Sequence, residues 1–502
     1  MTPPFDSRFP DDLAAIDIGS NSFRLEIGQI TPGRYKRVDY LKETVRLGAG
    51  LDKDGRLTDE AAERGLTCLR RFAQRLEGYA PQQVRAVATQ TLREASNRDS
   101  FLARAREVLG HPIEVISGRE EARLIYAGVA RLQPSDTPRL VINIGGRSTE
   151  MILGQGRTPL RAESFQVGSV SLSMRFFPDG RFTEQAFRRA QVAAGAEFEE
   201  ALGPFARAHW TSALGSSGTA GAVSHLLQAN GISDGAITPE GLRWCIAQCL
   251  KAGRADKLQL NGLKDDRKAV LGGGLAILYT LATHFDIDAL QPARGALRQG
   301  VIYDLDDRLG GADGGNANDL REASVQEMQR RFGADVEQAA RVGAVASALY
   351  ARLAPDASPA QRRELAWSAA LHEIGMMVSH HDHHRHSAYL LSHADAAGFS
   401  QSEQRRLAEL VLAQRGGLRK VEAALADAAF ARQVLCLRLA IIICHARQAV
   451  DPSLLVLTRY NQEAELTVPA GWNDSHPRTL FLLDEETAVW ERSGALRLQV
   501  QR

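Results

Sequence analysis

The sequence predicts an α/β protein whose N-terminal part folds as two duplicated lobes facing one another across a phosphate-binding cleft. The first observation is the segment Leu13–Phe23, where an apolar run ends in an acidic residue and then in a Gly-Ser turn. The second is its repetition over Leu140–Leu153, where an apolar run ends in Asn-Ile-Gly before a serine and a second apolar run. Backbone amides and small hydroxyls of such a turn can all point at one phosphate, so two copies indicate one shared anion site.

The composition is that of a soluble globular protein with three or four domains, since 44% of its 502 residues are hydrophobic and 24% are charged. A formal net charge of +1 excludes a protein that coats nucleic acid, so local arginines and lysines must hold any polyanion. Five scattered cysteines indicate a reducing compartment without a disulfide framework. No secretory signal is visible, and the apolar run Leu435–Cys444 is too short to span a bilayer. We expect a cytoplasmic protein without nucleic-acid partners or integral membrane contact.

The first lobe follows from the alternation of apolar residues. Arg34–Leu47 extends the hairpin into a three-strand meander, and Thr58–Leu76 has the spacing of an amphipathic helix capped by its threonine. Val84–Ala88 reads as a short strand followed by the polar residues Thr89–Arg93. Ligands bind at the carboxyl edge of open α/β sheets, so Arg93 is either a phosphate clamp or a solvated surface charge.

Two adjacent glutamates follow the predicted strand Ile113–Ile116. Ser117 and Glu120 have capping-box spacing, which predicts that the Glu120 carboxylate accepts a hydrogen bond from the Ser117 amide. Glu121 is then the carboxylate free to face the cleft. The alternative is that both glutamates only suit the positive end of the helix dipole, worth about 0.3–1 kcal/mol each.

The second lobe carries further small-residue turns. Its predicted elements are a strand entering a polar turn at Phe165–Leu172, a helix at Thr183–Leu202, a loop at Leu214–Ala220 before a helix, the charged segment Asp265–Lys268, the helix Leu275–Leu281, and a closing segment at Arg294–Gly300. The loop before the helix is a candidate phosphate contact, because the first N–H groups of a helix bind anions.

A domain boundary is predicted at Asp307–Asp319, which is rich in Gly, Asp and Asn. Beyond it the pattern is helical, and seven of the 13 histidines lie between His372 and His393. The tail from Leu454 alternates, which predicts a small α/β end-piece. The expected domains are residues 1–133, 134–306, 320–450 and 451–502.

Together, several segments resemble the exopolyphosphatase / guanosine pentaphosphate phosphohydrolase (Ppx/GppA) family, and the long chain resembles its exopolyphosphatase branch. The segments are AIDIGSNSFRL, ATQTLREA, IEVISGREEARLI, NIGGRSTEM, SSGTAGAV, DDRKAVLGGGLAIL, ARGALRQGVIYDL and LHEIG with HRHSAYLL. The resemblance implies actin-like, sugar-kinase-like (ribonuclease H-like) lobes, then an all-α HD-like domain. It also implies Mg²⁺-dependent removal of terminal phosphate from inorganic polyphosphate, and a homodimer fits it.

The resemblance, with the chemistry of phosphoryl transfer, assigns a role to each candidate residue. Glu121 is the base that activates water, and Glu150 is its catalytic neighbour. Asp17, Asn143 and Glu150 hold Mg²⁺ directly or through water. The phosphate-binding residues are Gly19, Ser20, Asn21, Ser22, Arg93, Gly145, Gly146, Arg147, Ser148, Ser169, Gly218 and Arg267.

Two residues depart from the family pattern Asp-Ile-Gly-Gly-Gly-Ser. Asn143 replaces the acid, so it keeps an oxygen ligand but loses the negative charge, and Mg²⁺ affinity should fall. Arg147 replaces the third glycine; it either obstructs the substrate or supplies positive charge, and its backbone could be strained if glycine used a special conformation there. The histidine-rich segment has His372-Glu373 where an HD-type site would have His-Asp. Plain surface or pH-sensitive polyanion docking explains the segment better than a second metal site.

Four functions remain open. The leading hypothesis is an exopolyphosphatase that works processively from a chain end, and the runner-up hydrolyses guanosine pentaphosphate (pppGpp). A polyphosphate-binding regulatory protein of low activity is the third, because the second loop departs from the family. An actin-like ATP-dependent kinase is the fourth.

Overall fold

The computed structural model describes residues 8–31, 34–310, 319–460 and 463–502, which belong to two compact units, Met1–Asn318 and Asp319–Arg502. It confirms the predicted α/β class. The predicted linker Asp307–Asp319 begins inside a helix that continues to Gly310, and residues 311–318 of it lie outside the described residues. The bounds of the four predicted domains remain predictions.

The first lobe is a five-stranded sheet in the order β3-β2-β1-β4-β5, in which the buried central strand β1 pairs antiparallel with β2 and parallel with β4. Its strands are β1 (Asp12–Ile18), β2 (Phe23–Thr31), β3 (Arg34–Glu43), β4 (Val84–Ala88) and β5 (Ile113–Val115). Its helices are α1 (Asp59–Arg75), α2 (Gln90–Glu94), α3 (Arg98–Leu109) and α4 (Gly118–Leu132). Helix α1 begins as predicted, because the Thr58 hydroxyl accepts a hydrogen bond from the Ala61 N–H.

The second lobe repeats this topology, since its sheet has the order β8-β7-β6-β9-β10 with the same strand directions. This confirms the predicted duplication. Its strands are β6 (Arg139–Ile144), β7 (Thr149–Gln155), β8 (Thr158–Phe165), β9 (Ser212–Ser216) and β10 (Leu290–Pro292). Its helices are α5 (Ser169–Phe176), α6 (Glu184–Phe198), α7 (Gly218–Ala229), α8 (Pro239–Ala252), α9 (Asp265–His284) and α10 (Leu297–Gly310).

Two predicted elements of the second lobe are wrong in extent. The predicted strand Phe165–Leu172 ends at once, and α5 begins at Ser169, whose backbone N–H donates to the Gly145 carbonyl at 3.0 Å. The predicted helix Leu275–Leu281 lies in the C-terminal half of the longer helix α9. Arg267 therefore lies in the first turn of that helix rather than in a preceding loop.

A shared hydrophobic cluster joins the two lobes. It contains Leu13 and Val87 of the first sheet, Val141 of the second sheet, and apolar residues of α4 and α10 such as Tyr126 and Val301. All five are essentially excluded from water, which stabilises the fold by the burial of apolar surface. The strands β1 and β6 are held by this core, and each carries a glycine turn at its carboxyl end.

The unit from Asp319 to Arg502 is helical with a small three-stranded sheet of order β11-β12-β13, as predicted. Its helices are α11 (Leu320–Arg331), α12 (Val336–Leu353), α13 (Pro359–Leu371), α14 (His383–His393), α15 (Gln401–Ala413), α16 (Glu422–Leu425), α17 (Ala428–Ile443), α18 (Trp472–Ser475) and α19 (Pro477–Ser493). Its strands are β11 (Val456–Tyr460), β12 (Glu463–Thr467) and β13 (Arg497–Gln501). Across the described ranges, every helix is too short or too polar to cross a bilayer.

Candidate functional site

The two glycine turns lie side by side at one cavity of about 90 Å³ between the lobes. We call Gly19–Ser22 loop A and Gly145–Ser148 loop B. A Cβ atom added to Gly146 would lie 3.3 Å from the Ser20 Cβ and 3.5 Å from the Asn21 nitrogen, so the loops are in contact. The cavity is lined by Asp17, Gly19, Ser20, Asn21, Ser22, Arg24, Thr89, Glu121, Asn143, Ile144, Gly145, Gly146, Ser148, Ser169, Ser217, Gly218, Thr219, Arg267, Ala296, Leu297 and Arg298.

Both loops are held by hydrogen bonds to their own lobe. In loop A the Ser20 carbonyl accepts from the Gly48 N–H at 2.8 Å, and the Ser20 hydroxyl accepts from the Thr91 hydroxyl at 2.8 Å. In loop B the Gly146 carbonyl accepts from the Val170 N–H at 2.8 Å. Gly168 permits this approach, because a Cβ there would lie 2.4 Å from the Gly146 carbonyl oxygen. The loops are therefore fixed before any ligand binds, which favours tight and oriented binding.

Glu121 presents its carboxylate to this cavity from the first turn of α4. Its side chain is only 8% exposed, and the Arg93 guanidinium donates to its Oε2 at 2.9 Å. The prediction for Glu120 is wrong in detail, because its two carboxylate oxygens accept from the Arg123 guanidinium at 2.8 and 2.7 Å. The Ser117 hydroxyl still caps the helix by accepting from the Glu120 N–H. Glu120 is thus occupied by a structural ion pair and Glu121 is left for the cavity.

Burial sets the protonation of Glu121. It raises the pKa of Glu121 to about 8, the nearby Glu150 carboxylate adds to the rise, and Arg93 opposes it. A carboxyl whose pKa lies near neutral pH can both take a proton from water and release it again.

Glu150 lies behind the cavity and is fully buried. Its Oε2 accepts from the Asn143 amide nitrogen at 2.7 Å, and its Oε1 accepts from the Ser164 hydroxyl at 3.1 Å. Burial raises the pKa of Glu150, against the hydrogen bonds from Ser148 and Asn143. Because the Asn143 nitrogen is held by Glu150, its carbonyl oxygen is the atom left for the cavity. Among the described residues that line the cavity, Asn143 is present and Glu150 is not.

Arginines surround Asp17 at the end of β1. Arg24 approaches the Asp17 Oδ2 at 3.3 Å, and Arg298 approaches it at 3.7 Å while donating to Glu26 at 3.0 Å. The predicted Arg267 also lines the cavity. A cleft wall that carries several positive side chains attracts negative ions, so this side of the cavity suits an anion.

Arg24 and Arg298 were missed by the sequence analysis. Arg24 could have been found from its position, since it is the cation of strand β2 and pairs in register with Asp17. Arg298 gave no local signal, because its approach to Asp17 depends on how α10 packs against β1.

Two predicted phosphate ligands have other partners. Arg93 pairs with Glu121, and Arg147 pairs with Glu94 of α2 through an NH2–Oε2 distance of 2.7 Å. Neither is among the described residues that line the cavity. The backbone of Arg147 lies outside the left-handed region, so the anticipated strain from replacing glycine is absent.

Ser169 and Gly218 do line the cavity, beside Ser217 with its unusual φ of 113°.

The side chains fit a magnesium ion better than a transition metal. Within the described ranges, no three His, Cys, Asp or Glu side chains group as ligands for a metal ion. Mg²⁺ usually takes one or two protein oxygens and completes its shell with water and substrate phosphate. Asp17 and the Asn143 carbonyl oxygen, both at the cavity, match that requirement.

The histidine-rich segment is partly interior, which contradicts the expectation of plain surface or docking for three of its members. His372, His383 and His384 are buried. Burial lowers the pKa of each, that of His384 to about 4, so these imidazoles are neutral near pH 7. The His372 Nδ1 contacts the Ala369 carbonyl at 2.7 Å, which is a structural role.

Comparison with known proteins agrees with this geometry. Residues 27–309 match the model of the Ppx/GppA phosphatase family, and residues 320–487 match Ppx/GppA phosphatase domain III. The chain is similar to the solved PPX-GPPA enzyme of Aquifex aeolicus, with 26% identity, a TM-score of 0.50, and coverage of 58% of this chain and 98% of that one. It is also similar to an exopolyphosphatase from Cytophaga hutchinsonii, with 25% identity, a TM-score of 0.54, and coverage of 60% and 98%. The family model spans more than half of the sequence, so this chain belongs to the Ppx/GppA phosphatase family and is a phosphoanhydride hydrolase.

Proposed function

We propose that this protein is an exopolyphosphatase that releases terminal orthophosphate from inorganic polyphosphate. The observation that carries the proposal is the Glu121 carboxylate at a cavity formed by two preorganised glycine loops and lined by Arg24, Arg267 and Arg298. Phosphoryl transfer needs an in-line nucleophile and neutralisation of the phosphate oxygens, and little covalent chemistry from the protein.

Each residue has a part in this reaction. Loops A and B bind the terminal phosphate, and the arginines neutralise the oxygens of the next phosphates, since a guanidinium fork matches phosphate geometry. Glu121 accepts a proton from the attacking water as the water oxygen bonds to the terminal phosphorus and the bridging P–O bond breaks, which releases orthophosphate and the shortened chain. The Arg93 guanidinium holds the Glu121 carboxylate in place. The proton leaves with the products when Glu121 is regenerated.

Asp17 and Asn143 would hold Mg²⁺, with Glu150 orienting the Asn143 amide. When bound, the ion supplies positive charge to the non-bridging phosphate oxygens. The loss of the family's aspartate at position 143 lowers the negative charge of this site, so we expect weak binding of the free ion.

The cavity lining favours polyphosphate over pppGpp. None of the described lining residues is aromatic, so the cavity has no ring on which a guanine base could stack. Its cations and hydroxyls instead match a substrate made only of phosphate.

The test is to measure orthophosphate release from polyphosphate and from pppGpp side by side with purified protein and Mg²⁺. We expect the higher kcat/KM with polyphosphate and a steep loss of affinity with salt, by analogy with other polyanions. A higher kcat/KM with pppGpp would overturn the substrate assignment. Binding of polyphosphate without turnover of either substrate would favour the regulatory alternative.

A further inference from the structure

A chain of hydrogen bonds crosses from loop B to Glu121 without entering the cavity. Arg147 of loop B donates through Nε at 2.9 Å to the Glu94 Oε2 of the first lobe. The other oxygen of Glu94 accepts from the Gln90 amide nitrogen at 2.6 Å. The Gln90 carbonyl oxygen accepts from Arg93 at 2.6 and 3.0 Å, and Arg93 donates to Glu121 at 2.9 Å. We call these five side chains the relay.

The relay has a fixed direction, because arginine can only donate hydrogen bonds and an ionised carboxylate can only accept them. Glu94 therefore accepts from the nitrogen of the Gln90 amide, which leaves the amide oxygen facing Arg93. A flipped Gln90 amide would point its nitrogen at a guanidinium that cannot accept. Glu94 thus sets which end of the Gln90 amide faces Arg93, whose NH1 also donates to the Ile116 carbonyl at 2.9 Å.

The Arg147 side chain packs against the first lobe through contacts other than its ion pair with Glu94. Its NH1 also donates to the Gly48 carbonyl at 3.2 Å, and a Cβ at Gly48 would lie 2.9 Å from the Arg147 Cδ. Its side chain is 23% exposed and that of Glu94 is 28% exposed, so water screens the pair only in part. Arg147 and Glu94 lie on different lobes, 53 residues apart.

We propose that Arg147 is a positioning residue, which ties loop B to helix α2 and, through Glu94 and Gln90, orients Arg93 so that it holds Glu121 in place. The inference rests on the proposed function, in which Glu121 is the base. It assigns to Arg147 a role without substrate contact, in contrast to a direct phosphate ligand. Loss of the relay should lower kcat while KM stays nearly constant, because the phosphate contacts of the cavity remain.

The experiment is a double-mutant cycle on Arg147→Ala and Glu94→Gln, with kcat and KM for phosphate release as readouts. We expect each single variant to lose about ten- to a hundredfold in kcat, since small misplacements near a reacting group cost that much. The double variant should lose no more than either single variant. Arg243→Ala, which breaks an exposed Arg–Glu pair with Glu240 on α8, is the matched control and should not change kcat.

Three results would overturn the proposal: losses in kcat that multiply in the double variant, an unchanged kcat in the single variants, or a raised KM with normal kcat. A raised KM with normal kcat would make Arg147 a substrate ligand. Hydrogen–deuterium exchange of residues 90–94 gives a readout that needs no substrate. Exchange there should speed up in Arg147→Ala and stay unchanged in Arg243→Ala. Unchanged exchange would overturn the relay even if the protein hydrolyses polyphosphate, whereas faster exchange in a protein without turnover would overturn only the proposed function.

Discussion

Replacing the proposed base should impair turnover and stabilise the folded protein in the same variant. Glu121→Gln keeps the shape of the side chain but removes its charge, so kcat should fall by about 10²- to 10⁴-fold, the usual contribution of a general base. Polyphosphate binding should persist, because the loops and arginines of the cavity are unchanged.

The gain in stability follows from the pKa of Glu121, which rises from 4.5 to about 8 mainly because of burial. Below pH 4.5 the carboxyl is protonated in both the folded and the unfolded chain, so the substitution should have little effect. Above that pH the unfolded chain ionises freely while the folded chain resists ionisation, and each pKa unit of difference costs about 1.4 kcal/mol. The stabilisation by Glu121→Gln should therefore grow with pH and level off near pH 8, at up to about 5 kcal/mol.

The assay is denaturant unfolding of both proteins at pH 5.5 and pH 8.5 with a chelator present, so that no bound cation offsets the buried charge. The difference in unfolding free energy should increase by about 3 kcal/mol between the two pH values. Glu120→Gln is the matched control, and it should instead destabilise the protein at pH 8.5, because it breaks the buried ion pair with Arg123. A stability difference independent of pH, or near-normal kcat in Glu121→Gln, would refute the assignment.

Three other predictions address the cations, the metal site and the C-terminal unit. Arg267→Ala should raise KM for polyphosphate by about ten- to a hundredfold, since a hydrogen bond to a charged group contributes about 1.5–3 kcal/mol. An unchanged KM would show that Arg267 does not bind the substrate. Asn143→Asp should destabilise the metal-free protein by about 1–3 kcal/mol, because it places a second carboxylate 2.7 Å from Glu150. Addition of Mg²⁺ should restore the thermal stability of this variant. Arg438→Ala should destabilise the unit 319–502 by about 3–5 kcal/mol in denaturant unfolding, since it removes the cation paired with the buried Glu486 carboxylate. A decrease of less than about 1 kcal/mol in the unfolding free energy would contradict this prediction.

The sequence was sufficient to predict the sheets and loops because their signals are local. An apolar strand followed by Gly-Ser or Gly-Gly specifies both a turn and a second strand, and the repetition at Leu140–Leu153 revealed the duplication. The boundary between β8 and α5 was missed, because the hydrogen bonds from α5 to loop B end the strand and come from a tertiary contact.

The partners of charged side chains could not be predicted in the same way. Glu120 could bond to the Ser117 amide or to a cation. The guanidinium of Arg123 prevails because it donates two hydrogen bonds and carries a full positive charge, whereas the amide would donate one. Arg147 and Glu94 meet only because the two lobes face each other. The spacing of residues along the sequence carries no information about such a contact between lobes.

The most direct test of the account is the position of a short polyphosphate in a crystal structure of Glu121→Gln with Mg²⁺. The terminal phosphate should contact loop A and loop B together, with a water molecule between its phosphorus atom and the side chain at position 121. A terminal phosphate bound away from these loops, or a position 121 side chain turned from it, would contradict the proposed hydrolysis at this cavity.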